Sequence, residues 1–114
     1  MPILNKEVKN KFLEVAKEEF SGNGYRDTSM DSIAFMAGTS KMNIYRYFLD
    51  KNDLFEAVVD DVDDHTAFVL QAGRILSKYG FLNRYLMGLP DIELIRLMQD
   101  AHQQDGIAAA KEVF

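Results

Sequence analysis

The feature that most constrains this sequence is a pair of short helical segments separated by no more than a tight turn. The first segment carries apolar residues at helical spacing, namely Met30, Ile33, Ala34 and Ala37. Gly38 ends that segment, and Ser40 is a suitable N-cap for a second one from Lys41 to Phe48. The two helices must therefore cross close to each other.

The residue types at this junction suit such a crossing. Ala34 and Ala37 are small, so a second helix can approach closely, and Gly38 provides the backbone freedom that the turn requires. Two short helices joined by a turn with glycine predict a helix-turn-helix, whose last helix offers one exposed face to the DNA major groove. The geometry alone is a weak signal, because many helical proteins contain such a pair.

The flanking segments are also helical by pattern. A helix is predicted from Lys6 to Ser21, with apolar positions at Val8, Phe12, Leu13, Val15, Ala16 and Phe20. The run Gly22-Asn23-Gly24 stops it. Asp50 can cap a fourth helix that begins at Lys51 and is predicted to run to about Ala72.

The remaining chain continues in helices. A shorter helical stretch is predicted from Ile75 to Leu86, and Gly88-Leu89-Pro90 breaks the chain after it. Asp91 is predicted to cap a helix running to about Gln104, before Asp105-Gly106, and a further helix begins at Ile107. No strand alternation, internal repeat or low-complexity tract is present, so the predicted class is all-α.

Composition sets the outer limits. The chain has 114 residues, of which 47% are hydrophobic and 27% charged, which is typical of one globular domain and not of a disordered chain. It has no cysteine, which excludes disulfides and thiolate-bound metal. No apolar run is long enough for a membrane span, and the first residues lack the apolar core of a signal peptide, so we expect a cytoplasmic protein.

Charge is distributed unevenly along the chain. Residues 1–51 contain 8 Lys and Arg against 7 Asp and Glu, whereas residues 52–114 contain 5 against 11, within a net charge of −5. An acidic body with a less negative N-terminal part is compatible with DNA binding through a small face, without being a reason to expect it.

The residues around the predicted turn also resemble a known family. The pattern comprises Phe20, Gly24-Tyr25, Thr28-Ser29, Ile33-Ala34, Ala37-Gly38, Ser40, Ile44-Tyr45, Tyr47-Phe48, Lys51 and Leu54. It resembles, without a gap from about residue 10 to 55, the N-terminal domain of TetR-family regulators. Four positions depart from that family's pattern: Ser29, Thr39, Met42 and Asn52. Of these, Met42 replaces a small residue and bears on how the helix docks and which sequence it prefers.

The resemblance implies a fold, a function and partners. It implies a helix-turn-helix DNA-binding domain at 1–50, followed at 51–114 by a connecting helix and a truncated helical domain for dimerisation and effector binding. We expect a homodimeric transcriptional regulator, in the manner of a repressor, that binds a palindromic double-stranded operator and is released by an unknown small-molecule effector. A shortened C-terminal domain would leave an apolar face uncovered, with Ile92, Ile95 and Met98 as examples.

The resemblance implies phosphate contacts from Thr28, Ser29, Tyr45 and Tyr47. Thr28 and Ser29 precede a helix, whose N-terminal amides favour an anion, although both hydroxyls also suit capping alone. Tyr45 and Tyr47 do not share a helix face, so one of them could pack inward instead.

Lys51 is also expected to contact a phosphate. A cation at a helix N-terminus opposes the helix dipole, which suggests another reason for its presence, although a solvated lysine would cost little there.

Base contacts are expected from the start of the third helix. Lys41 could donate to guanine, Asn43 could pair with adenine, and Met42 could touch a thymine methyl. Arg46 could contact a phosphate or a base. The alternative for all of them is an ordinary exposed surface.

Other chemistry finds little support. Asp61 and His65 have the i, i+4 spacing of a metal pair, but two ligands do not make a site, and a solvated acidic helix face is the simpler interpretation. His102 has no recognisable partner. No nucleophile–base pair or phosphate-binding glycine loop is present, so we expect neither an enzyme nor a cofactor. The alternative is a small all-helical protein-interaction module, or a truncated regulator fragment, without DNA binding.

Overall fold

The structure is a computed structural model that describes residues 4–79, 81 and 83–101. Within these ranges the chain forms helices and no strand, which confirms the predicted all-α class. The helices are α1 (Lys6–Asn23), α2 (Met30–Met36), α3 (Lys41–Ile44), α4 (Lys51–Asp61), α5 (Asp64–Ser77), α6 (Asn83–Met87) and α7 (91–101). None of the described helices is both long and apolar enough to cross a lipid bilayer.

Polar caps fix where the N-terminal helices begin. The side chain of Asn5 accepts hydrogen bonds from the first-turn amides of α1, and Ser29 and Ser40 do the same for α2 and α3. Helix α1 extends two residues beyond the predicted Ser21 and ends where Gly24 adopts a φ of +83°. The predicted order of three helices is confirmed.

One apolar core joins α1 to α4. Its fully buried large side chains are Phe12, Phe20, Ile33, Ile44, Leu54, Phe55 and Val58. The rings of Phe20 and Phe55 meet edge to face with centroids 5.1 Å apart, which locks α4 against α1. The helix-turn-helix pair is thus held on a scaffold of two longer helices.

The predicted fourth helix is wrong in length, because it is two helices. Helix α4 ends at Asp61, Val62 is extended, and α5 begins at Asp64. The junction contains four carboxylates, those of Asp60, Asp61, Asp63 and Asp64. Negative charge at the C-terminus of α4 is unfavourable to its dipole, whereas negative charge at the N-terminus of α5 is favourable.

The third helix is also shorter than predicted. It ends at Ile44, and Tyr45–Tyr47 form turns, with the amides of Arg46 and Tyr47 donating to the carbonyls three residues earlier.

A second core joins α5, α6 and α7. Its buried residues are Ala72, Leu76, Leu86, Leu94 and Ala101. The predicted stretch Ile75–Leu86 is divided between the end of α5 and α6. Asp91 is the first residue of α7 and not its cap, since the Pro90 carbonyl accepts the first helical bonds.

The expected uncovered face on α7 is only partly present. Ile92 is 74% exposed and Ile95 44%, but Met98 packs against the second core. The predicted helix end near Gln104 with Asp105-Gly106, and the helix start at Ile107, lie outside the described residues.

Candidate nucleic-acid interface

The turn between α2 and α3 depends on the conformation of Gly38. Its φ is +77°, and no atom lies within 4 Å of where a Cβ would stand, so the backbone conformation and not crowding requires glycine. The Thr39 amide donates to the Ala34 carbonyl at 2.9 Å and closes the turn. Ala34 is buried and Ala37 is half-buried where α2 and α3 cross, as we predicted from the small size of these residues.

The first turn of α3 presents the predicted base-contacting side chains. Lys41 and Met42 are exposed, Met42 at 74%, and Asn43 is half-exposed. The Asn43 side-chain amide donates to the Thr39 hydroxyl at 3.0 Å, and the Lys41 ammonium lies 3.4 Å from the Asp31 carboxylate. These contacts give α3 an ordered polar surface with one apolar side chain in it.

The three residues after α3 point in different directions. Tyr45 and Arg46 are exposed, whereas Tyr47 is half-buried with its ring edge against Phe12. The Tyr47 hydroxyl accepts a hydrogen bond from the Asn5 amide at 3.0 Å. A phenol that accepts through its oxygen can still donate its proton to a phosphate.

Two lysines that the sequence analysis did not consider lie beside Tyr47. A cavity of about 250 Å³ is lined by Leu4, Asn5, Lys6, Lys9 and Tyr47. The available signal was the spacing of Lys6 and Lys9, which puts them on one face of the first turns of α1. They add positive charge next to a predicted phosphate-contacting hydroxyl.

Thr28 and Ser29 lie in unlike surroundings. Thr28 is 2% exposed, and its hydroxyl lies 2.7 Å from the Gly24 carbonyl and 3.1 Å from the Glu19 carbonyl, to which it donates. In this structure that hydroxyl is not accessible to a phosphate and instead ties α1 to the α1–α2 turn. Ser29 is exposed and caps α2 through the Ser32 amide.

Lys51 is held against the α1–α2 turn. Its ammonium donates to the Tyr25 carbonyl at 2.8 Å and lies 4.3 Å from the centroid of the Tyr25 ring. Burial lowers the pKa of Lys51, and nearby Asp27 partly opposes that shift. An ammonium has three donors, so one bond to Tyr25 leaves donors for a phosphate.

Asp61 and His65, whose spacing would place a metal pair on one helix, lie on different helices, because α4 ends at Asp61 and α5 begins at Asp64. His65 lies 3.3 Å from the Asp91 carboxylate instead. Among the residues that the structure describes, no three His, Asp or Glu side chains are grouped for a metal ion. His102 lies outside them.

Comparison with known proteins points to one family. Residues 12–58, which run from α1 into α4, match the model of "Bacterial regulatory proteins, tetR family". The chain is 38% identical over 50 residues to the uncharacterized HTH-type transcriptional regulator YhgD of Bacillus subtilis (strain 168), covering 44% of this chain and 26% of that protein.

A second relative gives a similar result. The chain is 40% identical over 53 residues to the HTH-type transcriptional regulator QacR of Staphylococcus aureus (strain Mu50 / ATCC 700699), covering 46% of this chain and 28% of that protein. The matched part thus spans little more than a quarter of the length of each relative.

Proposed function

We propose, from the match of residues 12–58 to the model of the tetR family of bacterial regulatory proteins, a specific way in which the chain binds and regulates DNA. The observation that carries the proposal is the α2–Gly38–α3 geometry with the first turn of α3 exposed. That turn enters the major groove, which is wide enough for a helix.

Base recognition is assigned to the exposed end of α3. Lys41 donates to guanine, the Asn43 amide pairs with adenine, and Met42 contacts a thymine methyl. Arg46, in the turn that follows, contacts a phosphate or a base edge. The exposure of these side chains supports the assignment.

Phosphate contacts are assigned to residues around that helix. They comprise Ser29, Tyr45, Tyr47 and Lys51, supported by Lys6 and Lys9 beside Tyr47. Thr28 is left out of the proposed contacts because its hydroxyl is buried and donates to two backbone carbonyls.

The regulator acts as a homodimer on a two-fold-symmetric operator, since a dimer of helix-turn-helix units reads two half-sites. We further propose that it is a cytoplasmic repressor that a small-molecule effector releases. The relatives are HTH-type transcriptional regulators of greater length than the matched region, which supports a regulatory part beyond the DNA-binding domain.

The salt dependence of duplex-DNA affinity tests the phosphate contacts. Each lost phosphate contact lowers the slope of log affinity against log salt by about 0.9. We expect Lys51→Ala to lower the slope by about one unit with little change in sequence preference.

The matched control is Lys17→Ala, which removes an exposed cation from α1 outside the proposed contacts and should leave the slope unchanged. A slope that Lys51→Ala does not alter would remove Lys51 from the phosphate contacts.

A helical interaction module is the second candidate. It is favoured by the exposed apolar side chains Phe35 and Leu49, which are 80% and 84% exposed. An interaction module would show no salt-dependent affinity for DNA. It would bind a protein partner, and Phe35→Ser would abolish that binding.

A further inference from the structure

A groove at the junction of the DNA-binding domain and the following helices is larger than the cavity beside Tyr47. It measures about 670 Å³ and is lined by Tyr25, Arg26, Lys51, Asn52, Arg74, Ile75, Ser77 and Lys78. These residues come from the α1–α2 turn, the start of α4 and the end of α5. The groove lies within the size range of small-ligand sites, which is roughly 300–1,000 Å³.

The charge of this lining is opposite to that of the chain. Four of the eight lining residues are Lys or Arg and none is Asp or Glu, although the chain carries a net charge of −5. Cations that line a concave surface focus the local field on an anion.

Two of these cations are held in place. Arg74 lies 2.6 Å from the Glu56 carboxylate, donates to the Asn52 side-chain oxygen at 2.9 Å and packs on the Phe55 ring. Lys51 is bonded to the Tyr25 carbonyl. The Tyr25 ring has the Lys51 ammonium 4.3 Å and the Arg74 guanidinium 5.9 Å from its centroid.

The other two cations carry uncompensated charge. Arg26 and Lys78 are exposed, and within the described part of the chain neither forms an ion pair. Three carboxylates act on this groove: Glu56 pairs with Arg74, Asp27 acts on Lys51, and Asp50 acts on Tyr25. Set against these three, the four lining cations still leave an excess of positive charge.

We propose that this groove binds a small anion that carries at least two carboxylate or phosphate groups. Arg26 and Lys78 meet one end of the anion, and Lys51 and Arg74 meet the other. The anion would then be the effector of the regulator, and this role rests on the proposed function. An anion on Lys51 competes with a DNA phosphate for the same ammonium, and by linkage each ligand weakens the other.

The first test uses the protein without DNA. Citrate and pyrophosphate are titrated separately into the ¹⁵N-labelled chain at constant ionic strength, with sodium chloride as the reference. The proposal expects at least one of them to give saturable shifts of the Tyr25, Ser77 and Lys78 amides. Shifts no larger than those in sodium chloride, for both anions, would overturn it.

A charge-removing variant locates the site. Arg26→Ala/Lys78→Ala, which changes two exposed side chains outside the proposed DNA contacts, should weaken anion binding about tenfold, which corresponds to about 1.4 kcal/mol. Lys11→Ala/Lys17→Ala removes the same charge from α1 and should leave it unchanged. Equal weakening by both pairs would reduce the effect to net charge and overturn the assignment.

The last arm adds duplex DNA. A saturating anion should lower DNA affinity beyond the effect of sodium chloride at the same ionic strength, and an unchanged affinity would overturn the effector role. If DNA shifts the groove amides while neither anion binds, the groove belongs to the DNA footprint and the small-anion site is wrong. If no DNA binds at all, the proposed function fails, while the anion titration still decides the groove.

Discussion

At the scale of single residues, Thr28 and Ser29 show how neighbours of similar chemistry are put to different uses. The hydroxyl of Thr28 is buried and donates to the Gly24 and Glu19 carbonyls, whereas that of Ser29 lies at the surface and accepts a hydrogen bond from the Ser32 amide. Sequence identifies two hydroxyls before a helix. Which one turns inward depends on the packing of α1 against the turn, which no local pattern contains.

Replacing Thr28 with valine should therefore destabilise the fold without changing the DNA surface. Valine keeps the shape but removes the one hydroxyl proton that the Gly24 and Glu19 carbonyls share, at a cost of about 1–3 kcal/mol in the free energy of unfolding. Urea denaturation measures that cost. Thr28→Ser, which keeps the hydroxyl, should lose less. A Thr28→Val protein that is as stable as the parent but binds DNA weakly would show that the hydroxyl acts on phosphate.

At the scale of elements, two glycines with positive φ are required for different reasons. Gly24 ends α1 with φ +83° and ψ 165°, and a Cβ there would stand 3.0 Å from the Asn83 Cβ. Gly38 has φ +77° with open space around it. The Asn83 side chain bonds the Ser21 and Gly22 carbonyls, so it has little freedom to move away.

Alanine at the two glycines should therefore have unequal effects. Gly38→Ala should lower the free energy of unfolding by about 1 kcal/mol for the left-handed backbone alone. Gly24→Ala should cost about 3 kcal/mol, because strain in a region that is almost restricted to glycine is joined by the clash. Thermal or urea unfolding of both variants gives the comparison. Equal losses would mean that α6 yields at Asn83.

The element boundaries show what a sequence pattern contains and what it lacks. The α2–turn–α3 unit was predictable because small residues, a glycine and a serine cap all act locally. The break after α4 was missed because apolar spacing continues through Val62, and the decisive signal was the cluster of carboxylates at the junction. The end of α3 at Ile44 was missed because the aromatic residues after it are compatible with either helix or turn.

At the scale of the whole molecule, charge and exposed apolar surface bear on assembly. The N-terminal 51 residues carry nearly balanced charge and the remainder is acidic, so DNA is expected to approach from the helix-turn-helix side. Outside the helix-turn-helix, Ile92 and Ile95 are exposed on α7. The cation-lined groove could not be predicted from spacing, because it depends on residues brought together from separate elements. The spacing of Lys6 and Lys9 places them on one face of α1, but their position beside Tyr47 depends on how the chain after α3 packs against α1.

The exposed isoleucines lead to a prediction about self-association. If the proposed dimer uses α7, sedimentation equilibrium should give twice the mass of one chain, and Ile92→Asp/Ile95→Asp should give the monomer with unchanged helix content. The double variant Phe35→Ser/Leu49→Ser, which changes two exposed side chains outside α7, is the control and should stay dimeric. A monomer at all concentrations in the parent protein would contradict dimerisation through α7.

Selection of bound duplexes from a random pool at moderate salt tests whether the first turn of α3 reads a specific DNA sequence. We expect enrichment of a two-fold-symmetric motif, and we expect Asn43→Ala to relax the preference at one base pair of each half-site by about 1–3 kcal/mol. If the folded protein enriched no sequence, sequence reading by α3 would be contradicted. The same would hold if the double variant Lys41→Ala/Asn43→Ala enriched the same motif with undiminished preference.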